Sequence, residues 1–490
     1  MNSLWKYRQL RHALVLAILG LTASDAWRSE SQGTEPDVQF WMASALEVEV
    51  FQDMALQSAV EVDKSALLND AALEQASYSD RSAGASGRLR MARVRVGYDD
   101  GFVIASQRQL NLDAGDAPFL FRINGWGQLR NTILDSEGTN LDVKQFQLKR
   151  GRLIFSGSVF TPDFAYFVQL DGRSSSGDDM RLLDFMLTYD VGHHVWDFDK
   201  GTLEYKVGKY KIPFSMARYL SGRELEFTDR SVSSMYFDVN RSLAWGLYGE
   251  ANGWKMPWNW EVAVFNGLVT GGAETGSSGT LDDNFAYSAR LSAYPTGEWG
   301  IGELADLGWH DSLAMRVGAG FATSTINRNG ATEFSSLRVV DSGEQLSSLL
   351  PGAVDEYNVN LVSLDLSSKF RGWSATFEYY FRNIDSFESA ILPDMFDHGF
   401  WLQLGKFVLP EKLQLLTRWS RVVGNSGTLG LGDQSAEEIS GGFVWYFRDQ
   451  YSKLTFDATY LDGAPINSAS LDISPGDIGW LLRSQIQFAF

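Results

Sequence analysis

Residues 481–490 read Leu-Leu-Arg-Ser-Gln-Ile-Gln-Phe-Ala-Phe, and their side chains fall into two alternating rows. One row holds Leu482, Ser484, Ile486, Phe488 and Phe490, and the other holds Arg483, Gln485, Gln487 and Ala489. A period of two is typical of a β-strand with one apolar and one polar face. A soluble β-sandwich could contain one such strand, so the interpretation depends on the rest of the chain.

The same alternation recurs from residue 118 onward, in segments separated by turn and loop residues. The predicted strands are 119–132, 144–155, 163–171, 182–190, 202–211, 241–251, 257–266, 284–294, 312–322, 358–368, 372–382, 398–408, 411–422, 437–448, 452–461 and 479–490. This pattern predicts an all-β fold, a transmembrane antiparallel β-barrel of about 16 strands over residues 118–490. We expect the last strand to pair with the first, because a closed barrel leaves no unpaired edge in the membrane.

Two further features of the barrel region refine this prediction. Leu148 and Leu153 cannot share a face in a regular strand, which indicates a β-bulge within Phe146–Phe155. If the first strand runs outward, the short connections fall on the periplasmic side and most long ones fall outside, as outer-membrane barrels require. The connections 191–201 and 295–311 are longer than this rule favours.

The first 117 residues divide into three predicted parts. Residues 1–26 resemble a signal peptide, with basic residues before the apolar run Ala13–Ala23 and small residues before a cleavage site. Residues 27–90 are predicted to be a helical or flexible periplasmic segment and linker, and a coiled coil over Trp41–Gln75 is an alternative. Residues 91–117 are predicted to form a hairpin at the barrel mouth, with its turn at Asp99-Asp100-Gly101.

Composition excludes several classes of protein. The formal net charge of −19 argues against a nucleic-acid partner. The apolar run Ala13–Ala23 is too short for a membrane helix, and no other stretch approaches the roughly 20 apolar residues that such a helix needs. The chain has no Cys, which fits an oxidising compartment and leaves no thiol nucleophile. The predicted localisation is therefore the outer membrane of a Gram-negative-type cell, with outer-membrane lipid as a partner.

The sequence offers little support for catalysis, a metal site or a cofactor, and we predict none of them. His193 and His194 are adjacent in a periplasmic turn, and on an extended segment their side chains would point apart. No His-Glu-x-x-His motif occurs, and the glycine-rich segment Gly267–Gly279 lacks the Lys-Ser/Thr of a phosphate-binding loop.

The polar row of the strands is expected to face a water-filled lumen rather than a packed core. Ten basic residues of this row, and of the strand end and long connection around 211–240, are candidates for lining the pore and its constriction: Arg122, Arg130, Lys206, Lys211, Arg218, Arg223, Arg230, Arg290, Arg316 and Arg418. A positively lined passage lowers the barrier for anions. The alternative is that these charges pair across neighbouring strands and only solvate the lumen.

Several motifs resemble the phosphate-selective porin O and P family of Gram-negative outer membranes. They are Val207–Ser215, whose Pro213-Phe214-Ser215 is intact, Asp229-Arg230-Ser231, Arg241 with Gly246, and Phe265-Asn266-Gly267. The resemblance covers roughly 118–490 and implies a homotrimeric channel for phosphate, polyphosphate or other anions, narrowed by an inward-folded third loop. In the family, Glu is more frequent where this chain has Asp229. Segment 212–240 also carries acidic residues, which argues against strict phosphate selectivity.

These observations favour a passive porin for small anions. A second hypothesis is a non-channel barrel that serves as an adhesin or structural anchor, plugged by the N-terminal hairpin or by connection 323–357. A third is a barrel enzyme such as a lipase or protease, which would need a Ser-His pair at the outer rim. None of the five His residues lies in a recognisable nucleophile context.

Overall fold

The structure is a computed structural model that describes most of the barrel region. The described residues are 93–98, 101–107, 119–173, 179–253, 256–271, 281–297, 299–340, 343–388, 392–424, 434–468 and 471–490. The predicted signal peptide and the predicted helical or flexible segment 27–90 lie outside the described residues.

Sixteen antiparallel strands form a closed barrel, as predicted. They are β3 (Leu120–Ser136), β4 (Val143–Val159), β5 (Thr161–Arg173), β6 (Asp179–Asp190), β7 (Glu204–Lys211), β8 (Arg241–Gly253), β9 (Met256–Asn266), β10 (Phe285–Ala293), β11 (Ala314–Asn327), β12 (Glu356–Phe370), β13 (Trp373–Asp385), β14 (Met395–Leu409), β15 (Leu413–Gly424), β16 (Gln434–Arg448), β17 (Ser452–Asp462) and β18 (Ile478–Ala489). Each strand pairs with its sequence neighbour, and β18 pairs with β3 from Gly479↔Ser136 to Ala489↔Trp126, which closes the barrel.

The two faces of the strands differ as the alternation predicts. In β18, Arg483 and Gln485 are buried inside the barrel, whereas Ile486 and Phe488 are exposed on its outer surface. Large exposed apolar side chains recur on the outer face of the other strands, as at Leu364. A closed sheet with an apolar outer belt and a polar inner face is the architecture of an outer-membrane barrel, because only lipid favours such a surface.

β-Bulges explain where the regular alternation fails. Lys149 is the extra residue of β4, because Gln128 pairs with Arg150 while Leu129 pairs with Leu148. The bulge predicted within Phe146–Phe155 is therefore confirmed. A second register shift lies in the β5–β6 ladder, and it changes the face on which one residue lies. Regular alternation predicts that Leu183 faces outward with Phe185, but the shift leaves Leu183 fully buried.

The connections on one side of the barrel are mostly longer than those on the other, with 191–203 and 294–313 as exceptions. On one side lie 137–142, 174–178, 212–240, 267–284, 328–355, 386–394, 425–433 and 463–477, and on the other lie 160, 191–203, 254–255, 294–313, 371–372, 410–412 and 449–451. We call the first side outer, and we name 212–240 loop 3, 267–284 loop 4 and 328–355 loop 5.

Five short helices lie in the described parts of these connections: α1 (Val191–Trp196), α2 (Met216–Tyr219), α3 (Val232–Phe237), α4 (Ala331–Phe334) and α5 (Leu346–Leu349). No helix in the described part of the chain is long and apolar enough to span a membrane.

A hairpin of β1 (Arg93–Tyr98) and β2 (Phe102–Gln107) adds to the barrel where β3 begins. The backbone of Phe490 exchanges hydrogen bonds of 3.1 and 2.9 Å with Gly125. Beyond this point β2 pairs with β3, from Phe102↔Ile123 to Ala105↔Leu120. β2 therefore continues the ladder at the inner end of the barrel, past the last residue of β18.

The lumen is more densely packed than the sequence predicts. Ile212 and Phe214 of loop 3 and Leu337 and Leu346 of loop 5 belong to one buried apolar cluster inside the barrel. Strand alternation cannot reveal this, because the apolar side chains come from loops. Residues 151–157 of β4 are half-buried at every position, so the inner face of this strand is not covered by the loops. The prediction of an open aqueous interior therefore fails for the part that loops 3 and 5 fill.

Candidate pore constriction

Loop 3 runs inside the barrel, and most of its residues are buried. Two of its turns are local structures that the sequence specifies. The Ser215 hydroxyl accepts the backbone N–H of Arg218 at 3.3 Å and caps α2, and the Ser231 hydroxyl accepts that of Ser234 at 3.2 Å and caps α3. The intact Pro213-Phe214-Ser215 motif thus provides the cap that turns the chain inward.

Carboxylates of the barrel wall hold the backbone of loop 3. Glu378 of β13 accepts the N–H groups of Met216 and Ala217 at 2.8 and 3.0 Å. Asp457 of β17 accepts the N–H of Thr228 at 3.0 Å. In the same way Glu438 of β16 accepts the N–H of Val232 at 2.7 Å. Hydrogen bonds to charged groups are worth about 1.5–3 kcal/mol each, so these contacts fix the path of the loop across the lumen.

Asp229 of loop 3 is the centre of a buried ion-pair cluster with two arginines of the barrel wall. Its Oδ2 lies 2.9 Å from Arg130 Nη2, and its Oδ1 lies 2.7 Å from Arg150 Nη2. Burial alone would raise the pKa of Asp229, but Arg150 and Arg130 more than reverse this and hold the pKa well below its usual range. The cluster ties loop 3 to β3 and β4.

Glu226 is held differently, by neutral partners. The side-chain amides of Gln403 and Gln414 donate to its two carboxyl oxygens. Burial raises the pKa of Glu226 above its ordinary value, although these hydrogen bonds oppose the shift. Nearby, the Lys453 ammonium donates to the carbonyls of Arg223 and Leu225 at 2.8 Å each. Loop 3 is therefore attached along its whole length.

Most of the predicted pore-lining basic residues have a carboxylate partner in the structure. The pairs are Arg130–Asp229, Lys206–Glu261, Arg218–Asp238, Arg223–Glu224, Arg290–Asp365, Arg316–Glu303 and Arg418–Glu438. Arg122 is half-buried near the inner end of β3. Of these seven pairs, only Arg418–Glu438 joins neighbouring strands, as the alternative interpretation expected, and the others join more distant strands or loop residues. The pairing reduces what each basic residue contributes to anion attraction.

Two predicted residues bond to backbone carbonyls instead. Lys211 Nζ donates to the carbonyls of Tyr219 and Leu220 at 3.0 and 2.6 Å. Arg230 donates from Nε to Ala217 at 2.7 Å and from Nη2 to Leu220 at 2.6 Å. Among the described residues, Arg230 forms no ion pair with a carboxylate, and its Nη1 makes no hydrogen bond.

These two cations belong to a cluster with an excess of positive charge. Lys211 lies close enough to Arg218, Arg230 and Arg241 for the charges to interact. Two carboxylates pair with two of the four cations: Asp184 with Arg241 at 2.8 Å and Asp238 with Arg218 at 3.3 Å. Among these six residues, four formal positive charges minus two formal negative charges leave +2, and Asp229 also acts on the charge of Arg230.

A cavity lies beside this cluster, between loop 3 and the wall. Its volume is about 20 Å³, which is room for about one water molecule. Its charged lining residues are Glu226, Asp229, Arg230 and Arg418, and Trp401 adds an aromatic wall. Arg418 is less available than Arg230, because it already bonds Glu438 and donates to the Asp229 carbonyl at 2.7 Å.

Sequence reasoning missed several residues of this site. Arg150 faces the lumen only because the bulge at Lys149 shifts the parity of β4. The sequence predicts a bulge in this strand, but the prediction did not include the inward orientation of Arg150. The prediction that His193 and His194 lie on an extended segment and point apart is wrong. Both lie on α1, and their Nδ1 atoms contact the two oxygens of Asp163 at 2.7 and 3.0 Å.

Asp190 is the reason that the segment with His193 and His194 is helical. It caps α1 by accepting the N–H of His193 at 2.9 Å, which bends the segment into a helical turn. In the described part of the chain, no group of three or more His, Cys, Asp or Glu residues could hold a metal ion.

Comparisons with known proteins give structural likenesses only. No family profile matches the chain, and no curated protein matches it. The outer membrane channel DcaP of Acinetobacter baumannii is 11% identical, with 78% of this chain and 99% of that chain covered and a TM-score of 0.47. OccAB1 of Acinetobacter baumannii is 10% identical, with 76% and 96% covered and a TM-score of 0.42.

The trimer form of OmpT, an outer membrane protein of Vibrio cholerae, is 10% identical to this chain. The match covers 76% of this chain and 99% of that chain, with a TM-score of 0.46. All three likenesses have TM-scores below 0.5, so no conclusion about this chain depends on them.

Proposed function

We propose that this outer-membrane barrel is a passive channel that favours small anions. The observation that carries the proposal is the inward-folded loop 3, which places Arg230 without a carboxylate partner beside the cavity. A cation in a narrow passage with low-dielectric walls attracts anions and repels cations, and the charges of Asp229 and Asp238 offset part of this effect at Arg230. Solutes would move down their gradient, without a cofactor or energy input.

The resemblance to the phosphate-selective porin O and P family supports the same function. It adds phosphate or polyphosphate as the solute class and a homotrimer as the assembly. The guanidinium of Arg230 suits this class, since Arg binds phosphate oxygens with planar geometry. Asp229 and Glu226 line the same cavity, and their carboxyl groups oppose the binding of phosphate. We therefore propose a mild anion preference rather than strict phosphate selectivity.

Planar-bilayer recording of the purified protein tests the proposal. A salt gradient across the bilayer gives the ion selectivity from the reversal potential. We expect discrete conductance steps with a reversal potential that favours the anion. Steps with cation preference would retain the channel and contradict the anion preference.

A plugged, non-channel barrel is the second candidate, because loops 3 and 5 fill one side of the lumen. It would act as an adhesin or structural anchor. A folded, heat-modifiable barrel that gives no conductance steps would favour this function over the channel.

A further inference from the structure

Glu333 of α4 in loop 5 is a fully buried carboxyl group at the outer end of the barrel. Neither of its carboxyl oxygens has a hydrogen-bond partner from a donor group among the described residues. A buried, ionised carboxylate in this position would be costly, because it would lose hydration without compensation. The environment therefore favours the protonated acid.

The neighbour of Glu333 is another carboxyl group, Asp282 of loop 4. Asp282 Oδ1 accepts the backbone N–H of Asn284 at 2.8 Å, and Oδ2 accepts that of Asn327 at 2.9 Å. Both Asp282 oxygens thus accept backbone N–H groups, whereas the Glu333 oxygens have no such donor. The pair connects loop 4 to loop 5.

Close backbone packing fixes the two carboxyl groups against each other. A Cβ atom at Gly267 would lie 2.3 Å from Glu333 Oε1, and one at Gly330 would lie 2.4 Å from the Asp282 nitrogen. Glycine is required at both places, because any side chain would push the loops apart. The Glu333 carboxyl group therefore lies directly against the backbone of Gly267, and Asp282 lies against that of Gly330.

The other charged and titratable groups around α4 do not neutralise Glu333. Arg328 donates to the Val354 carbonyl and lies 3.8 Å from Asp355. Asp283 Oδ1 accepts from the Asn327 amide at 2.7 Å. On β12, Tyr357 donates its hydroxyl to the Phe334 carbonyl at 3.2 Å. Burial, followed by the charge of Asp282, raises the pKa of Glu333 to about 8.

Loop 5 is the element whose position this pair controls. Its Arg338 carbonyl accepts the Tyr236 hydroxyl of loop 3 at 2.6 Å and Arg382 Nη2 of the wall at 2.8 Å. Leu337 and Leu346 pack in the lumen. Loop 5 thus contacts loop 3 and the wall, and it fills part of the lumen.

We propose that Glu333 and Asp282 form a proton-operated latch, which holds loop 5 in the lumen when Glu333 is protonated and releases it when Glu333 ionises. The direction of the pH dependence follows from the two states of the loop. A released loop exposes Glu333 to water, where its pKa is ordinary, whereas the closed loop favours the proton. The ratio of closed to released loop therefore falls with rising pH between the two pKa values, by up to about tenfold per pH unit, and is constant above them.

Thiol labelling of single-cysteine variants tests the latch without requiring ion conduction. The chain has no Cys, so Leu346→Cys reports release of loop 5 alone. Exposed Ala353→Cys, in the same loop, supplies the reference rate and corrects for the intrinsic pH dependence of thiols. The measured quantity is the ratio of the two rates from pH 5 to 9, in folded, heat-modifiable protein.

We expect this ratio to rise with pH until about pH 8 and then to level off. Glu333→Gln should keep the ratio low at all pH values, because a neutral amide replaces the acid. Asp282→Asn lowers the pKa of Glu333. In this variant the ratio of the two labelling rates should level off at a lower pH and stay below the unmodified value at pH 9. Exposed Glu344→Gln, in the same loop, should behave like the unmodified chain. A ratio that is independent of pH, or a pH dependence that survives in Glu333→Gln, would overturn the proposal.

Discussion

Replacement of Arg230 by methionine should remove most of the anion preference of the channel. The change deletes one of four cations and lowers the net charge of the cluster around Lys211 from +2 to +1. Methionine keeps the length of an unbranched side chain. The variant therefore isolates the charge, apart from two hydrogen bonds to the carbonyls of Ala217 and Leu220.

Coulomb's law gives the size of the effect. Two unit charges 4 Å apart interact by about 1 kcal/mol in water and about 4 kcal/mol at an effective dielectric constant of 20. The aqueous limit is the safer estimate for a wet passage, and about 1 kcal/mol corresponds to a factor of about five in relative anion permeability. The permeability of cations should rise by a similar factor, because the charge of Arg230 repels them in the unmodified channel.

The reversal potential in a salt gradient measures this change directly. Arg230→Lys is the matched control, since it keeps the charge and should retain the preference. The variant Arg223→Met removes a charge that is already paired with Glu224 and partly exposed, so we expect a smaller shift. The reasoning would be refuted if Arg230→Met had the reversal potential of the unmodified chain, or if Arg230→Lys lost selectivity equally.

The remaining predictions concern how loop 3 is held. Lys453→Met removes the ammonium that fixes two loop carbonyls, so single-channel records should show larger and noisier currents. Asp229→Asn breaks a buried ion-pair cluster, and heat or urea unfolding followed by gel mobility should show a loss of about 3–5 kcal/mol. Because the pKa of Asp229 lies well below its usual range, the unmodified barrel should keep this stabilisation from pH 7 to pH 4, and lose it only as the pH falls through that lowered pKa. Glu226→Gln should cost less than about 1 kcal/mol in the same unfolding assay, since burial already favours the neutral acid. Equal losses in the Asp229 and Glu226 variants would contradict the distinction between the two carboxyl groups.

The barrel could be predicted because each strand carries its own signal. Ile486 and Arg483 point to opposite faces in any strand that contains them, so the inward and outward rows of β18 follow from ten residues. The bulge near Lys149 also has a local signal, since Leu148 and Leu153 cannot otherwise face the same way.

The contents of the lumen could not be predicted in this way. Whether Arg218 is paired depends on Asp238, twenty residues away in the same loop, and on where α2 and α3 dock. The same holds for Glu333, whose burial results from the approach of loop 4 rather than from any pattern in loop 5. Charged residues of the inward row can be counted from the sequence, but their partners are set by the tertiary structure.

The attachment of loop 3 also constrains the order of events during folding. The backbone of Thr228 is bound by Asp457, 229 residues later, and that of Val232 by Glu438, 206 residues later. Contacts at such separations form late, because a long stretch of chain must first be ordered. The carboxylates that receive loop 3 belong to the last third of the barrel, so the loop cannot settle until the sheet around it is nearly complete. The constriction should therefore be completed last, and a barrel arrested before closure would hold loop 3 by its ion pairs to β3 and β4 alone, in a wide, unselective interior.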